Sequence, residues 1–253
     1  MRFPRSILIT GASSGIGEAL AAEYAAPGVT LALGGRNADR LDRIAAACRD
    51  KGAAVTARAL DVTDADAIAA WIAASDDASP LDLVIANAGV AGGPSGVGEG
   101  DAAVCRLLAV NVDGVVNTVL PALARMRGRG RGQIAVMSSL AAFRGFPGAP
   151  AYSASKAAVR AWGEALRGRH ARDGVAINVV CPGFIISRMT ANNPFPMPLL
   201  MPADRAARII RRGLARNRGR IAFPLRLYAL SWLSGALPDR LVDPVMRRLP
   251  RKE

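Results

Sequence analysis

The sequence TGASSGIG at residues 10–17 follows a short apolar run and leads into an alanine-rich segment. A glycine-rich turn between a strand and a helix lets a pyrophosphate approach the backbone closely, and the helix N-terminus offers free N–H groups and the positive end of its dipole. The glycine spacing differs from the G-x-G-x-x-G fingerprint of other dinucleotide-binding folds. Because such a turn is a weak signal by itself, its interpretation depends on the elements around it.

Short aliphatic runs alternate with longer alanine-rich segments, which is typical of βαβ units. We predict strands at Ser6–Thr10, Val29–Gly34, Ala54–Leu60, Leu81–Ala86, Gln133–Ser138, Val175–Cys181 and Arg220–Phe223. We predict helices at Gly15–Ala25, Ala38–Lys51, Asp64–Ser75, Glu99–Arg127, Ala151–Arg172 and Ala203–Arg216, with Asn37 and Thr63 as N-terminal caps. The pattern predicts an α/β fold, a doubly wound Rossmann-type parallel sheet of seven strands with helices on both faces, in a single domain.

The chain organisation follows from this alternation. Residues 1–224 are expected to form the dinucleotide-binding and catalytic domain, and residues 225–253 an apolar and basic extension packed on it. Within the domain, residues 188–202 contain four prolines, which prevent a regular helix, among apolar residues that need cover. This stretch suits either a mobile flap over an apolar pocket or an ordinary packed connector.

The net charge of +13 comes mainly from arginine and invites a nucleic-acid or anionic-membrane interpretation. However, no helix-turn-helix, zinc-finger or RNA-binding pattern occurs, and aromatic residues make up only 5% of the chain. Nucleic acid is therefore not an expected partner.

The cysteines and the apolar runs indicate the compartment. Cys48, Cys105 and Cys181 are too few and too scattered for a disulfide framework. The N-terminal apolar run is too short for a signal peptide, and no run of about 18–20 apolar residues suggests a membrane span. We therefore expect a cytoplasmic protein.

The ends of the second, third and fourth predicted strands carry the next candidate residues. The second strand ends in Gly34-Gly35-Arg36, without the carboxylate that would bind a ribose 2′-hydroxyl. A guanidinium pairs well with a 2′-phosphate, so Arg36 favours NADP(H) over NAD(H). Asp61 and Val62 follow the third strand, and Asn87, Ala88 and Gly89 follow the fourth, at the sheet edge where ligands bind.

The chemical residues are predicted from a spacing on one helix. Tyr152 and Lys156 lie four residues apart and share a helix face, and an ammonium near a phenol lowers the phenol pKa toward neutrality. Ser139 ends the fifth strand thirteen residues before Tyr152, and Asn111 lies in the long preceding helix. The Tyr-x-x-x-Lys pattern is common by chance, so it indicates a catalytic pair only together with Ser139 and Asn111.

Taken together, these motifs resemble the principal subfamily of short-chain dehydrogenases/reductases, of roughly 250 residues. The TGxxxGxG turn, Asn87-Ala88-Gly89, Asn111, Ser139 and the Tyr152/Lys156 pair occur in the order of that family, and Pro182-Gly183 follows the sixth strand. The matching motifs extend from Thr10 to about Ser187, most of the chain. No metal site is expected.

The resemblance implies a role for each of these residues. Tyr152 would exchange a proton with the substrate oxygen during hydride transfer, Ser139 would hydrogen-bond that oxygen, and Lys156 would lower the pKa of Tyr152 and hold the nicotinamide ribose. Asn111 would hold a water for proton supply. The cofactor would be contacted by Gly11, Ser13, Ser14, Gly15, Ile16, Gly17, Arg36, Asp61, Val62, Asn87, Ala88, Gly89, Tyr152, Lys156, Pro182, Gly183, the Ile185 backbone and Ser187, which stands where the family usually has threonine.

The C-terminal extension from Pro224 is longer and more apolar than the resemblance requires. We favour a cover over the substrate pocket or a contact between subunits, because apolar stripes are more often buried in protein than in lipid. The alternative is a pair of amphipathic helices at a membrane surface, with Arg226, Arg247, Arg248, Arg251 and Lys252 meeting anionic lipid.

The expected function is NADP(H)-dependent interconversion of a carbonyl and a secondary alcohol on a mainly apolar small molecule, by a homodimer or homotetramer. The alternative is a catalytically silent nucleotide-binding sensor or scaffold of the same fold. The presence of Ser139, Tyr152 and Lys156 together argues against that alternative.

Overall fold

The computed structural model of the protein describes residues 3–91, 100–191 and 196–246. Its strands are β1 (Ser6–Thr10), β2 (Thr30–Gly35), β3 (Ala54–Ala59), β4 (Leu83–Ala86), β5 (Gly132–Met137), β6 (Val175–Pro182) and β7 (Arg220–Phe223). Its helices are α1 (Gly15–Tyr24), α2 (Ala38–Arg49), α3 (Ala65–Ala78), α4 (Asp101–Leu108), α5 (Gly114–Gly128), α6 (Pro150–Arg169), α7 (Ala203–Ala215), α8 (Leu225–Ala236) and α9 (Asp239–Met246).

The strands form one sheet in the order β3-β2-β1-β4-β5-β6-β7, and every neighbouring pair is parallel. β1 lies between β2 and β4, and the direction of strand succession reverses at this point. The chain connections diverge there, which leaves a crevice at the carboxyl ends of the strands where ligands bind in such sheets. The predicted seven-stranded Rossmann-type sheet is confirmed.

The two faces of the sheet are covered by different helices. Successive strand side chains point to opposite faces, so Ile7 and Ile9 lie in one apolar cluster and Leu8 in the other. The first cluster contains side chains of α1, α2 and α7, and the second contains side chains of α3, α5 and α6. Leu8 is fully buried, and its replacement by alanine is expected to cost about 2–5 kcal/mol.

The structure corrects several predicted boundaries. The predicted cap Thr63 is wrong, because Asp64 is the N-cap of α3 and its side chain accepts a hydrogen bond from the Ala67 amide at 3.0 Å. The Thr63 hydroxyl instead donates to Asp61 at 2.9 Å. Asn37 does cap α2, accepting from the Arg40 amide at 2.9 Å. The remaining predicted strand and helix ends coincide with the observed ends, as in β1 and β7, or differ from them by one to three residues, as end fraying commonly produces.

The predicted helix from Glu99 to Arg127 is interrupted. Glu99 lies outside the described residues, and a π-helical turn at Ala109–Asp113 separates α4 from α5. The helical stretch Asp101–Gly128, which includes this turn, contains a window of 18 residues with a mean hydropathy of 1.6, enough by length and composition for a membrane span. Half of that window is buried inside the protein, because Val115, Val119 and Met126 pack on the sheet. This stretch is therefore a core helix of the fold.

Candidate active site

A cavity of about 750 Å³ opens at the carboxyl ends of the strands, where the sheet topology leaves the crevice. Nearly all the residues that the sequence predicts for the site line it. These are Gly11, Ser13, Ser14, Gly15, Ile16, Arg36, Asp61, Val62, Asn87, Ala88, Gly89, Ser139, Tyr152, Lys156, Pro182, Gly183, Ile185 and Ser187. The two exceptions are Gly17 and Asn111, which lie behind the cavity wall.

The glycine turn forms one end of this cavity. Gly11 has φ +66°, and a Cβ there would lie 2.8 Å from the Ala88 Cα, so only glycine allows the turn to pack against the end of β4. Ser14 is the N-cap of α1, and its side chain makes no cap hydrogen bond. The first residues of α1, Gly15 and Ile16, line the cavity at the positive end of the helix dipole. This geometry suits a pyrophosphate.

Two arginines and a carboxylate lie at the ends of β2 and β3. Arg36 and Arg40 both line the cavity, and the Nε of Arg40 is buried with no hydrogen-bond partner among the described residues. Burial acts to raise the pKa of Asp61, but hydrogen bonds from Thr63 and the charges of Arg36 and Arg106 hold it below its usual value. Asp61 is therefore ionised, and the two guanidiniums that line the cavity, those of Arg36 and Arg40, suit a further anion.

Asn87 joins the end of β4 to the glycine turn. Its Nδ2 donates to the carbonyls of Thr10 and Gly11 at 3.0 and 3.2 Å, and its amide donates to the Thr10 hydroxyl at 3.1 Å. The side chain thus fixes the two strand ends that flank the crevice.

Ser139, Tyr152 and Lys156 meet in the middle of the cavity. Ser139 caps a short 3₁₀ turn at Leu140–Ala142, its hydroxyl accepting from the Ala141 amide at 3.1 Å. The Lys156 Nζ lies 5.7 Å from the centre of the Tyr152 ring and donates to the Met137 carbonyl at 3.1 Å. The three side chains therefore come together from the end of β5 and the first turns of α6.

The structure contradicts the expected direction of the pKa of Tyr152. Burial raises the pKa of this phenol above its ordinary value, and the hydrogen bond with Ser139 only partly opposes that rise. Burial also lowers the pKa of Lys156 to about 8, against a small opposing effect of Cys181. The prediction neglected desolvation, which disfavours the charged form of each group.

Asn111 and Gly17 have packing contacts instead of a place in the wall. The fully buried Asn111 side chain accepts from the Val90 amide at 2.8 Å and donates to the Val90 carbonyl and the Ser155 hydroxyl at 2.9 and 3.1 Å. It therefore holds the segment after β4 against α6. Gly17 packs against the glycine turn, where a Cβ would lie 2.2 Å from the Gly11 carbonyl oxygen.

The segment after β6 brings a threonine that the sequence analysis missed. Pro182 and Gly183 turn the chain, and the Thr190 hydroxyl donates to the Ile185 carbonyl at 2.7 Å and accepts from the Ser187 amide at 3.0 Å. Thr190 also lines the cavity, and it fixes the backbone on which Ser187 lies. Its position in a loop of no regular period gave no signal in sequence.

The other half of the cavity is apolar and comes from loops and from the C-terminal extension. The predicted flap contributes Met189, Pro196 and Pro198, whereas part of it, residues 192–195, lies outside the described residues. The flap returns to the sheet through Met201, which is buried and bridges to Ile185. The remaining apolar lining includes Val90, Ala91, Leu140, Ala141, Phe146, Pro147, Ala149 and Phe184.

The helix α8 closes this apolar half. Leu227 and Ser231 line the cavity, and Tyr228 packs edge-on against Phe143 with ring centres 5.4 Å apart. The Arg220 guanidinium donates to the Tyr228 hydroxyl at 3.0 Å and so ties α8 to β7. One side of the extension therefore covers the cavity, while residues 247–253 lie outside the described part.

Two residues beyond Thr190 were also missed. Arg40 lies on α2 one turn beyond Arg36, where a helix-periodic pattern indicates only a surface charge. Ser231 belongs to an extension without a motif, so its approach to the cavity depends on the tertiary packing of α8. No group of three metal-ligating side chains is found in residues 3–91, 100–191 and 196–246.

Comparison with known proteins agrees with this geometry. The family model described as short chain dehydrogenase matches residues 5–195. An uncharacterized oxidoreductase of Myxococcus xanthus is 39% identical over 246 residues, covering 97% of each chain. The L-tagatose-forming galactitol 2-dehydrogenase of Cereibacter sphaeroides is 36% identical over 185 residues, 72% of each chain.

A solved structure is similar over nearly the whole length. The short-chain dehydrogenase from Sphingobium yanoikuyae in complex with NADPH superposes with a TM-score of 0.79 at 26% identity, covering 98% of this chain and 97% of that one. Fold, site geometry and relatives agree. The chain belongs to the short-chain dehydrogenase/reductase family of NAD(P)-dependent oxidoreductases.

Proposed function

We propose that the protein uses NADP(H) to interconvert a carbonyl and a secondary alcohol on an uncharged, mainly apolar small molecule. The observation that carries this proposal is the meeting of Ser139, Tyr152 and Lys156 in one cavity with the glycine turn. A proton donor, an oxygen-binding hydroxyl and a cofactor cradle then open to the same space.

The residues present fit a nicotinamide dinucleotide. The amides of the first turn of α1 suit the pyrophosphate, and the close packing of Gly11 on Ala88 leaves the turn without side-chain bulk. When bound, the cofactor supplies or accepts a hydride at C4 of its nicotinamide ring. Thr190 holds Ser187 and the Ile185 backbone. These groups would orient the carboxamide of that ring.

The chain's own chemistry is proton transfer at the Tyr152 hydroxyl. In the reductive direction this hydroxyl gives its proton to the carbonyl oxygen while the carbonyl carbon gains the hydride. In the oxidative direction the phenolate takes the alcohol proton. Ser139 donates a hydrogen bond to the same oxygen, and the Lys156 ammonium stabilises the phenolate that Tyr152 becomes after donating.

The preference for NADP(H) rests on the end of β2. No carboxylate stands there to repel a 2′-phosphate, and Arg36 and Arg40 both reach the cavity. The unpartnered Nε of Arg40 is a buried donor that a phosphate oxygen would satisfy. A relative of the same fold binds NADPH, which agrees with this assignment.

The substrate class follows from the distribution of charge in the lining. The charged side chains among the described lining residues are Arg36, Arg40, Asp61 and Lys156, and all belong to the cofactor half. The half beneath α8 and the flap offers apolar surface with the hydroxyls of Ser139, Tyr152 and Ser231. A charged substrate would lose its hydration there without a partner, so an uncharged apolar ketone or alcohol is favoured.

A panel of carbonyl compounds assayed with NADPH and with NADH tests this function. We expect faster turnover with NADPH, and an Arg36→Asp substitution should reduce that preference by about tenfold or more, because a carboxylate repels the 2′-phosphate. Arg40→Gln should lower the affinity for NADPH and leave that for NADH unchanged.

The matched control is Arg43→Asp, which changes an exposed residue of α2 that does not line the cavity. It should leave the ratio of the two cofactors unaltered. Equal use of both cofactors by the parent protein would overturn the role of the arginines, and NADPH binding without turnover of any carbonyl would favour a sensor.

A further inference from the structure

The C-terminal helices turn an apolar face outward. Half of the exposed large hydrophobic side chains of the described residues lie between Leu225 and Val245. The most exposed of them are Leu225, Leu230, Trp232, Leu233, Leu241 and Val245, each with between 46% and 74% of its surface accessible. Such a concentration of exposed apolar side chains on two successive helices indicates an interaction surface, whereas single exposed apolar residues need no partner.

The opposite side of α8 and α9 faces the rest of the protein. Leu227 and Ser231 of α8 face the cavity, and Val242 of α9 is buried. The outward residues therefore remain exposed although the other side of each helix is packed. We call the face formed by the six exposed residues above the tail face.

Basic residues outnumber acidic residues around the tail face. α8 contains no acidic residue, and both acids of α9, Asp239 and Asp243, pair with Arg144 at 2.9 and 3.1 Å. Arg226 and Arg240 are exposed and form no ion pair with any described residue. The sequence adds Arg247, Arg248, Arg251 and Lys252 directly after α9, against one acid, Glu253. Apolar side chains are thus combined with unpaired cations.

This combination distinguishes between two occupants. A second copy of the chain seated on this face would bring Arg226 and Arg240 of both copies close together, and these like charges would repel. A lipid bilayer with anionic headgroups offers an apolar interior for the exposed leucines and negative charge for the arginines. Trp232 is also of the residue type that prefers the interface between lipid and water.

The helix α8, which carries four residues of the tail face, also contributes to the cavity lining. α8 and the flap both line the cavity, and the flap carries its own exposed apolar residues, Met189, Leu199 and Leu200. A protein resting on a bilayer through these segments would hold its apolar cavity next to the lipid. This arrangement agrees with the uncharged apolar substrate of the proposed function but does not depend on it.

We propose that the tail face binds the surface of an anionic lipid bilayer. The interaction combines shallow burial of the exposed leucines and Trp232 with attraction between the arginines and the headgroups, and so it weakens as salt screens the charges.

Vesicle flotation with the full chain tests the proposal. We expect the protein to float with vesicles of mixed phosphatidylcholine and phosphatidylglycerol at low salt. Flotation should be much weaker with phosphatidylcholine alone or at high salt. A Leu230→Gln/Trp232→Gln/Leu241→Gln variant should have an affinity for the mixed vesicles that is lower by about tenfold or more. The matched control, Leu108→Gln/Leu120→Gln, changes exposed leucines on α4 and α5 and should bind like the parent.

Trp232 provides a second readout that does not depend on the triple variant folding. Its emission should shift to shorter wavelength when mixed vesicles are added to the parent, and Trp232→Phe should lose this shift while still floating. The proposal is overturned if the parent stays free of mixed vesicles at low salt, or if the triple variant and the control bind equally. A third outcome would also overturn it: the parent does not bind the vesicles, and light scattering shows a smaller oligomer for the triple variant than for the parent. The tail face would then be a contact between copies.

Discussion

The two halves of the cavity are built from different parts of the fold. The cofactor half is formed by strand ends and by the first turns of α1 and α6, where backbone and side chains are fixed by bonds such as those of Asn87 and Lys156. The substrate half is formed by loops, by the flap and by α8, whose Tyr228 packs on Phe143 and accepts a hydrogen bond from Arg220 of the edge strand β7. The residues of cofactor binding and proton transfer are thus held by strand ends and the helices that follow them, whereas substrate selectivity depends on segments added around the sheet.

Removal of the Tyr152 hydroxyl should have the largest effect, and it should separate proton transfer from cofactor binding. Tyr152→Phe should lower kcat by about 10³-fold, because the proton donor is lost, while NADPH affinity measured by fluorescence titration stays nearly unchanged. Tyr24→Phe is the matched control, since Tyr24 is a buried tyrosine outside the cavity lining. Substantial residual turnover in the Tyr152 variant would remove proton transfer from this residue.

The second effect is the pH dependence of the two directions. Because burial raises the pKa of Tyr152, the phenol is protonated at neutral pH, so alcohol oxidation should increase with pH by up to about tenfold per unit. Carbonyl reduction should decline above about pH 8, because Lys156, whose pKa burial lowers to about 8, loses the charge that stabilises the phenolate formed when Tyr152 gives up its proton. Initial rates in both directions across this range provide the measurement, and an oxidation rate that falls as pH rises would contradict it.

The smallest expected effect lies in the substrate half. Leu227→Ala should raise KM for an apolar ketone by about tenfold, because a contact with the substrate is lost, and should leave NADPH affinity unchanged. Leu225→Ala, on the same helix but exposed and away from the cavity lining, should change neither quantity. If Leu227→Ala weakened NADPH binding instead, the division into two halves would be wrong.

The sequence predicts the cofactor half well for a physical reason. Glycines at a tight turn, Asn87 after β4 and the spacing of Tyr152 and Lys156 are local requirements, and local patterns are visible in a single chain. The parallel sheet of seven strands is predicted by the alternation of strands and helices along the chain. These features account for the confirmed fold and for the residues that line the cavity.

The features that the sequence missed depend on tertiary contacts. Arg40 and Ser231 reach the cavity only because α2 and α8 pack where they do, and the π-helical turn that carries Asn111 has no signature of its own. The direction of the pKa of Tyr152 depends on burial, which spacing does not reveal. The cap at Asp64 was missed because the neighbouring Thr63 satisfies the same local rule.

The central claim is that this chain passes a hydride between NADP(H) and an apolar carbonyl compound. Its most direct test uses NADPH carrying deuterium at C4, on either face of the ring in separate samples, with the ketones that the parent protein reduces. We expect one of the two labelled cofactors to place one deuterium on the alcohol carbon of the product. The Tyr152→Phe variant should transfer none over the same time. Saturable binding of NADPH with no deuterium in any product would contradict it.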